Sequence, residues 1–490
     1  MKAFKLLVLF GSFLWIISLP TGQSLWNDEA ITASWASHEC FQNLFYALLL
    51  DDQSESQMPF YIFFSWVSAK IVGTGEWQLR IPNFLWGVLA IVSLYLTGRR
   101  LRIWWIYILF IIMPFFVYYM DEARPYAMQM GISCWLLYGM VACIESQGQS
   151  KNWPYHIGLS GLLLCSSSML GAITLGAVLM TISLIFLHHK WRIKREAVIA
   201  LTSFFVLISF LGAYFTWTLL RGAGGARLWD VGITNFGFAI FEFSGANGLT
   251  EPRYVLRDLA KKGQYGLLSL KLAGPSTFFG ILYIIILGLP VFSLRKSRYS
   301  IYWIAMALVV SISFWGLLML ALIAKWPFWG RHLAPAFPFF VAWLALSAVI
   351  IYQQNNKKIA CTLTGILAIV LMVSNINLHF NQRFQKEDYR YAAALAKKQV
   401  EQGKVVWWVA YDAPARYYEV SLKPFGDWNE GTIKAVNLDR KDMEKVSKPD
   451  IIVYSRPEDL DRNNVVSQLI KQHNFKEKAK LHGLLIYESN

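Results

Sequence analysis

Two acidic pairs stand where carboxylates are expensive: Asp28-Glu29, within Trp26-Asn27-Asp28-Glu29-Ala30, and Asp121-Glu122, within Asp121-Glu122-Ala123-Arg124-Pro125-Tyr126. Each follows a long apolar run, and ionisable groups at the edge of a bilayer core are costly unless they serve ligand, proton or metal chemistry. An ionised carboxylate at Asp28 or Glu29 can take a proton from an incoming hydroxyl or amine within hydrogen-bond reach. The plainer reading is a solvated turn whose aspartate caps the helix beginning at Ala30. In the second group, Asp121 or Glu122 can contact an acceptor or a divalent cation such as Mg or Mn, while Arg124 neutralises a phosphate. Its plainer reading is a self-contained salt-bridged turn. Further cations lie at the ends of apolar runs: Arg80 in Glu76-Trp77-Gln78-Leu79-Arg80-Ile81-Pro82, and Lys325, Arg331 and His332 around Trp329-Gly330-Arg331-His332. They suit a lipid phosphate, although Lys and Arg also snorkel routinely at such ends. Trp26, Tyr61 and Tyr126 are the aromatic candidates for lining the same site.

The elements that must position these residues are transmembrane helices. The chain has 490 residues, of which 56% are hydrophobic and only 16% charged, the composition of a polytopic membrane protein. A net charge of +15 could point to nucleic acid. The basic residues instead cluster in short loops, as in Arg99-Arg100-Leu101-Arg102, His188 to Arg195 and Arg295-Lys296-Ser297-Arg298. That is the bias of cytoplasmic loops, and it argues against a nucleic-acid partner. The five cysteines form no CxxC pair, so neither a disulfide framework nor a zinc site is indicated. Residues 1–20 look like a signal peptide without a convincing cleavage site, which favours an uncleaved first helix.

Taking basic loops as inside, crossings are expected near 4–20, 80–97, 103–119, 126–143, 155–170, 171–187, 197–220, 276–294, 300–323, 332–352 and 358–378. The apolar stretch 58–72 is placed in the outer interface, because counting it as a crossing puts the Arg99–Arg102 cluster outside. About eleven transmembrane helices then leave both acidic pairs and the tail on the outer face. The tail, 379–490, changes composition abruptly. A helix is expected over 386–402, strands at 405–409, 451–454 and 484–487, and a helix over 458–473. The expectation is a small α/β extracytoplasmic domain following a membrane module at 1–378, with a structural or docking role.

The Asp-Glu after the first helix, Pro59-Phe60-Tyr61, Gly75 to Pro82, Ala123-Arg124-Pro125-Tyr126 and Arg331 to Pro335 occur in an order that resembles the GT-C glycosyltransferases. The likeness is to bacterial relatives of the protein O-mannosyltransferases and of the lipid A aminoarabinose transferase, and it spans most of 1–378. The resemblance implies a polyprenyl-phosphate sugar donor, a lipid, glycan or protein acceptor, and transfer on the outer face of a bacterial inner membrane by single displacement with inversion. By position, Asp28 matches the acidic residue that acts as base or orients the acceptor, with Glu29 supporting it. Asp121 or Glu122 matches the second acidic position, and Arg80 and Arg331 resemble arginines near the lipid phosphate. One departure is Gln57, where some relatives carry Lys or His before the proline, so the phosphate must find its positive charge elsewhere. The competing readings are a lipid-linked oligosaccharide polymerase or ligase, and a transporter or flippase of lipid-linked glycans. A transporter usually sets its ionisable groups at the midplane in two related halves, and neither feature is seen.

Overall fold

The computed structural model describes residues 2–489 apart from 52, 223–231, 253–254, 257–258, 260–262, 327, 355, 427–429 and 443–447. Among these, eight helical stretches are long and apolar enough to cross a membrane, from Glu76–Leu101 to Lys357–Phe380. The other three expected crossings are helical but shorter or broken. Lys2–Ile17 has 16 residues and Trp153–Ser167 has 15, while 103–119 is split into Ile106–Ile111 and Pro114–Met120. The split has a local cause: Pro114 has no N–H to continue the helix and instead starts the next one at its first turn. The stretch 58–72 forms the helix Pro59–Val72, whose 14 residues reach only about 21 Å at 1.5 Å per residue, short of a ~30 Å hydrocarbon core. A preceding apolar helix, Phe41–Leu50, was not foreseen. Its Phe41, Phe45, Tyr46 and Leu50 are exposed.

The helices alternate in direction, so the two ends of the bundle differ in chemistry. Asn83–Leu101 starts beside the Asp121-Glu122 turn, where Asn83 Nδ2 donates to the carbonyls of Met120 (3.1 Å) and Glu122 (2.7 Å), and it ends on Arg99 and Arg100. Tyr126–Glu145 starts at Arg124 and ends where Glu145 pairs with Arg100. The basic turns thus sit at the end opposite the acidic pairs. These two helices run side by side at a very short distance. A Cβ on Gly131 would lie 2.5 Å from the Trp86 carbonyl oxygen, closer than any real contact. Gly131→Val is therefore expected to cost about 1–3 kcal/mol through overpacking, read as a lower unfolding temperature of the purified protein.

The tail folds as a six-stranded sheet in the order β2-β3-β1-β4-β6-β5, with β1 Val405–Val409, β2 Leu422–Lys423, β3 Gly431–Lys434, β4 Ile451–Tyr454, β5 Lys476–Leu481 and β6 Leu484–Glu488. β1 and β4 fall where their apolar runs place them, because both are buried on both faces. β5 is a mostly exposed Lys-rich edge strand, the kind of edge that resists further pairing and carries no apolar signal. The helix expected over 458–473 is divided into Pro457–Leu460 and Val465–Gln472. Asp461 breaks it by accepting from the N–H groups of Val466 (3.1 Å) and Ser467 (2.8 Å).

The sheet domain is clamped to the membrane module around the Asp28 segment. Tyr418 Oη accepts from the Leu25 N–H (2.9 Å) and donates to Glu76 Oε1 (2.6 Å), and Tyr417 Oη donates to the Thr74 carbonyl (2.9 Å). Arg390 pairs with Glu76 at 2.6 Å. Ala413 and Tyr417 pack against Leu25, Ala30 and Ala33.

Candidate active site

The helix Asn27–Ala36 carries both members of the first acidic pair, but successive helical positions point in different directions. Glu29 turns inward and is wholly buried. Its Oε1 accepts from Arg80 Nε (2.9 Å), the Ala123 N–H (2.8 Å) and Lys386 Nζ (3.0 Å), while Oε2 accepts from Arg80 Nη2 (2.7 Å). Burial alone would raise its pKa, but Arg80, Lys386 and the Ala123 N–H outweigh that and hold it at about 2. The other Arg80 donors reach the carbonyls of Thr21 (2.9 Å), Gln23 (2.7 Å) and Ser24 (3.3 Å). A bidentate, fully bonded pair of this kind fixes the chain path through 21–29.

Asp28 turns the other way, its side chain 21% exposed, into a cavity of about 1250 Å³ between the membrane module and the sheet domain. Its Oδ2 lies 3.2 Å from Arg331 Nη1, and Arg331 also lies over the Trp26 ring at 5.9 Å. Burial pushes the Asp28 carboxyl up, but the guanidinium groups of Arg124, Arg331 and Arg456 together bring it below its ordinary 3.8. The carboxylate is therefore ionised at neutral pH and faces open space. Arg124 braces the same helix, donating through Nη1 to Glu55 Oε1 (2.8 Å) and to the Asp28 carbonyl (3.2 Å).

Of the residues singled out from the sequence, Trp26, Asp28, Arg124, Tyr126, Arg331 and His332 line this cavity. The others do not. Arg80, expected at a phosphate, is fully buried with its guanidinium committed to Glu29 and the backbone, because a bare carboxylate in that position would be far more costly. Glu29 is for the same reason a structural anchor. Asp121 accepts from the N–H (2.6 Å) and hydroxyl (2.9 Å) of Thr21, with Arg80 3.9 Å away, so it ties two turns at this end of the bundle together. Glu122 and Tyr61 are buried outside the cavity lining. Lys325 is exposed at a left-handed helix end (φ 51°) and is not part of the lining. Among the described residues, no three His, Cys, Asp or Glu side chains converge to hold a metal ion.

Several lining residues were not anticipated. Glu55, the partner of Arg124, comes from the polar stretch before Pro59, where Gln57, the departure noted in the sequence, also lines the cavity. Lys386, Glu387, Tyr411 and Arg456 come from the tail. Lys386 reaches Glu29, while Arg456 pairs with Glu387 and lies 5.1 Å over the Tyr411 ring. The signal available for Arg456 was its place just after the buried strand 451–454, since strand carboxyl ends are where α/β sheets bind ligands.

Comparison with known proteins agrees with this architecture. Residues 56–215 match the family model described as dolichyl-phosphate-mannose-protein mannosyltransferase. The crystal structure of ArnT from Cupriavidus metallidurans in the apo state superposes with a TM-score of 0.53 at 13% identity, covering 99% of this chain and 98% of that one. The same protein bound to undecaprenyl phosphate gives 0.50 at 12% identity, covering 99% and 97%. No curated protein sequence matches the chain. The chain thus shares the fold of ArnT, a multi-span helical membrane module followed by a small C-terminal sheet domain.

Proposed function

We propose that this protein transfers a sugar from a polyprenyl-phosphate carrier to an acceptor on the extracytoplasmic face of a bacterial inner membrane. The observation that carries the reading is Asp28 paired with Arg331 at the wall of a large cavity, at the bundle end opposite the basic turns. The placement of those turns supports an outer site through the positive-inside bias. ArnT, whose fold the chain shares, has been crystallised with undecaprenyl phosphate.

In this reading the acceptor hydroxyl attacks the anomeric carbon and gives its proton to Asp28. The carbon–oxygen bond to the phosphate breaks in the same displacement, and the electron pair leaves on the lipid phosphate. Arg331 and Arg124 supply the positive charge that Gln57 cannot, with His332 beside them in the lining. Preorganised charge aimed at a leaving group is often the largest catalytic term. Inversion follows from the single displacement. No nucleotide-binding fold is required, because the leaving group is held in the bilayer by its lipid.

The test is incubation of the purified protein with a panel of polyprenyl-phosphate sugars. Release of polyprenyl phosphate with an inverted product is expected. Transmembrane movement of an intact lipid-linked glycan would favour the flippase, and transfer of only preassembled chains the polymerase or ligase. Because Asp121 is already engaged by Thr21, EDTA is expected to leave the rate unchanged. Loss that Mg or Mn restores would return Asp121 and Glu122 to a metal role.

A further inference from the structure

We propose that the crevice at the carboxyl ends of β1, β3 and β4 is the acceptor subsite, and that it takes a neutral, hydroxyl-rich glycan head group. This rests on the transfer reading above and assigns its second substrate.

The sheet topology singles out this crevice. β1 is parallel to β3 on one side and to β4 on the other, so the chain reverses its winding at β1. Ligands of open α/β sheets bind outside the strand carboxyl ends at such a switch point. Here those ends open onto the cavity that Asp28 faces: Tyr411 and Asp412 follow β1, Lys434 closes β3, and Arg456 follows β4. Arg456 is near enough to Asp28 to help lower its pKa. The tail therefore forms a wall of the same chamber as the carboxylate.

The charges deepest in the crevice are paired: Arg456 is held by Glu387 and Lys434 by Asp412. Arg416 lies 3.9 Å from the same Asp412 with its side chain largely in solvent. An anionic ligand would have to break these pairs to gain Arg456 or Lys434. A polyhydroxylated ligand need not, because a carboxylate has about four acceptor sites and a guanidinium five N–H donors, so both can bond hydroxyls while still paired. The crevice also continues outward. A second cavity of about 600 Å³ shares Asp412, Arg416, Glu419 and Lys434 with the first. That volume is within the ~300–1,000 Å³ range of small-molecule sites, leaving room for an acceptor that extends beyond its reacting end.

The test uses the full-length protein in lipid nanodiscs on an array of neutral oligosaccharides, phosphorylated sugars and synthetic peptides. Binding to neutral oligosaccharides is expected, weakened about tenfold or more in Lys434→Gln and in Asp412→Asn by loss of charge-assisted hydrogen bonds. The Lys434 side chain is 45% exposed, so its variant should keep the wild-type melting curve and show that the fold is intact. Binding confined to phosphorylated sugars or peptides, no binding, or unchanged binding by both variants would overturn the inference. Polyprenyl phosphate release by the wild type is scored separately, so failure of the transfer reading is distinguishable from failure of the glycan assignment.

Discussion

Asp28→Asn is expected to lower sugar transfer by about 10²- to 10⁴-fold, the usual contribution of a positioned acid or base, with little change in melting temperature. The amide keeps the size of the carboxylate and can still meet Arg331, but it cannot take a proton. The ion pair it loses is single and partly exposed, at 3.2 Å. The pH dependence follows from the three guanidinium groups around it. In the free protein Asp28 titrates below its ordinary 3.8, despite burial, because Arg124, Arg331 and Arg456 favour its charged form. A donor phosphate that engages Arg331 withdraws part of that support, so the carboxylate becomes a stronger base once the donor is bound. The acid limb of kcat is therefore expected at higher pH than that of kcat/KM, since the two report the bound and free states respectively. Near-normal transfer by the Asn variant would end the assignment, and coincident acid limbs would remove the role given to Arg331.

Arg80→Met is expected to destabilise the protein by about 3–5 kcal/mol, the cost of leaving one member of a buried pair uncompensated. Glu29 and Arg80 are both inaccessible, and Arg80 also holds three backbone carbonyls. A thermal or denaturant unfolding curve separates this from a role at the donor. A phosphate ligand, once removed, would leave the fold intact and raise the KM for donor alone, and that outcome would return Arg80 to the donor phosphate. Acid has a related effect with a defined sign. The Glu29 pKa is about 2 in the fold against an ordinary 4.5, so the folded state favours the ionised form. Its contribution is fully present above about 4.5 and is lost as pH falls toward 2. The shift corresponds to roughly 3 kcal/mol at ~1.4 kcal/mol per unit. Acid unfolding that Glu29→Gln does not alter would exclude it.

The membrane module was largely legible because its signal is one-dimensional. A crossing needs a run of apolar residues of sufficient length, and basic loops report direction without any knowledge of contacts. The same reasoning overestimated continuity at 103–119, where Met113-Pro114 breaks the helix, and passed over Phe41–Leu50, which is too short to register as a span. In the tail, β1 and β4 were legible from their unbroken apolar runs. β2, β3 and β5 were not, being two residues long, half-buried or a charged edge. Within the site, Asp28, Arg331 and Arg124 were found because carboxylates and cations at span ends are costly. Glu55 and Lys386 were missed because nothing local distinguishes them from solvated charges, and Arg456 because its one signal, the place just after β4, gains meaning only once the strand order is known.

By itself, then, the sequence determined a helical membrane protein with its acidic pairs at one end, a small α/β tail, and the few ionisable residues worth suspecting. The tertiary structure alone decided which of them are bonded to one another and which face open space. Asp28 and Glu29 are adjacent in the chain, and composition cannot tell them apart. The helical turn sends Glu29 inward, where Arg80 and Lys386 offset the burial of its charge, and sends Asp28 into the cavity. That division depends on partners 51 and 357 residues away. Such contacts exist only once the helices have packed and the tail has folded over the site.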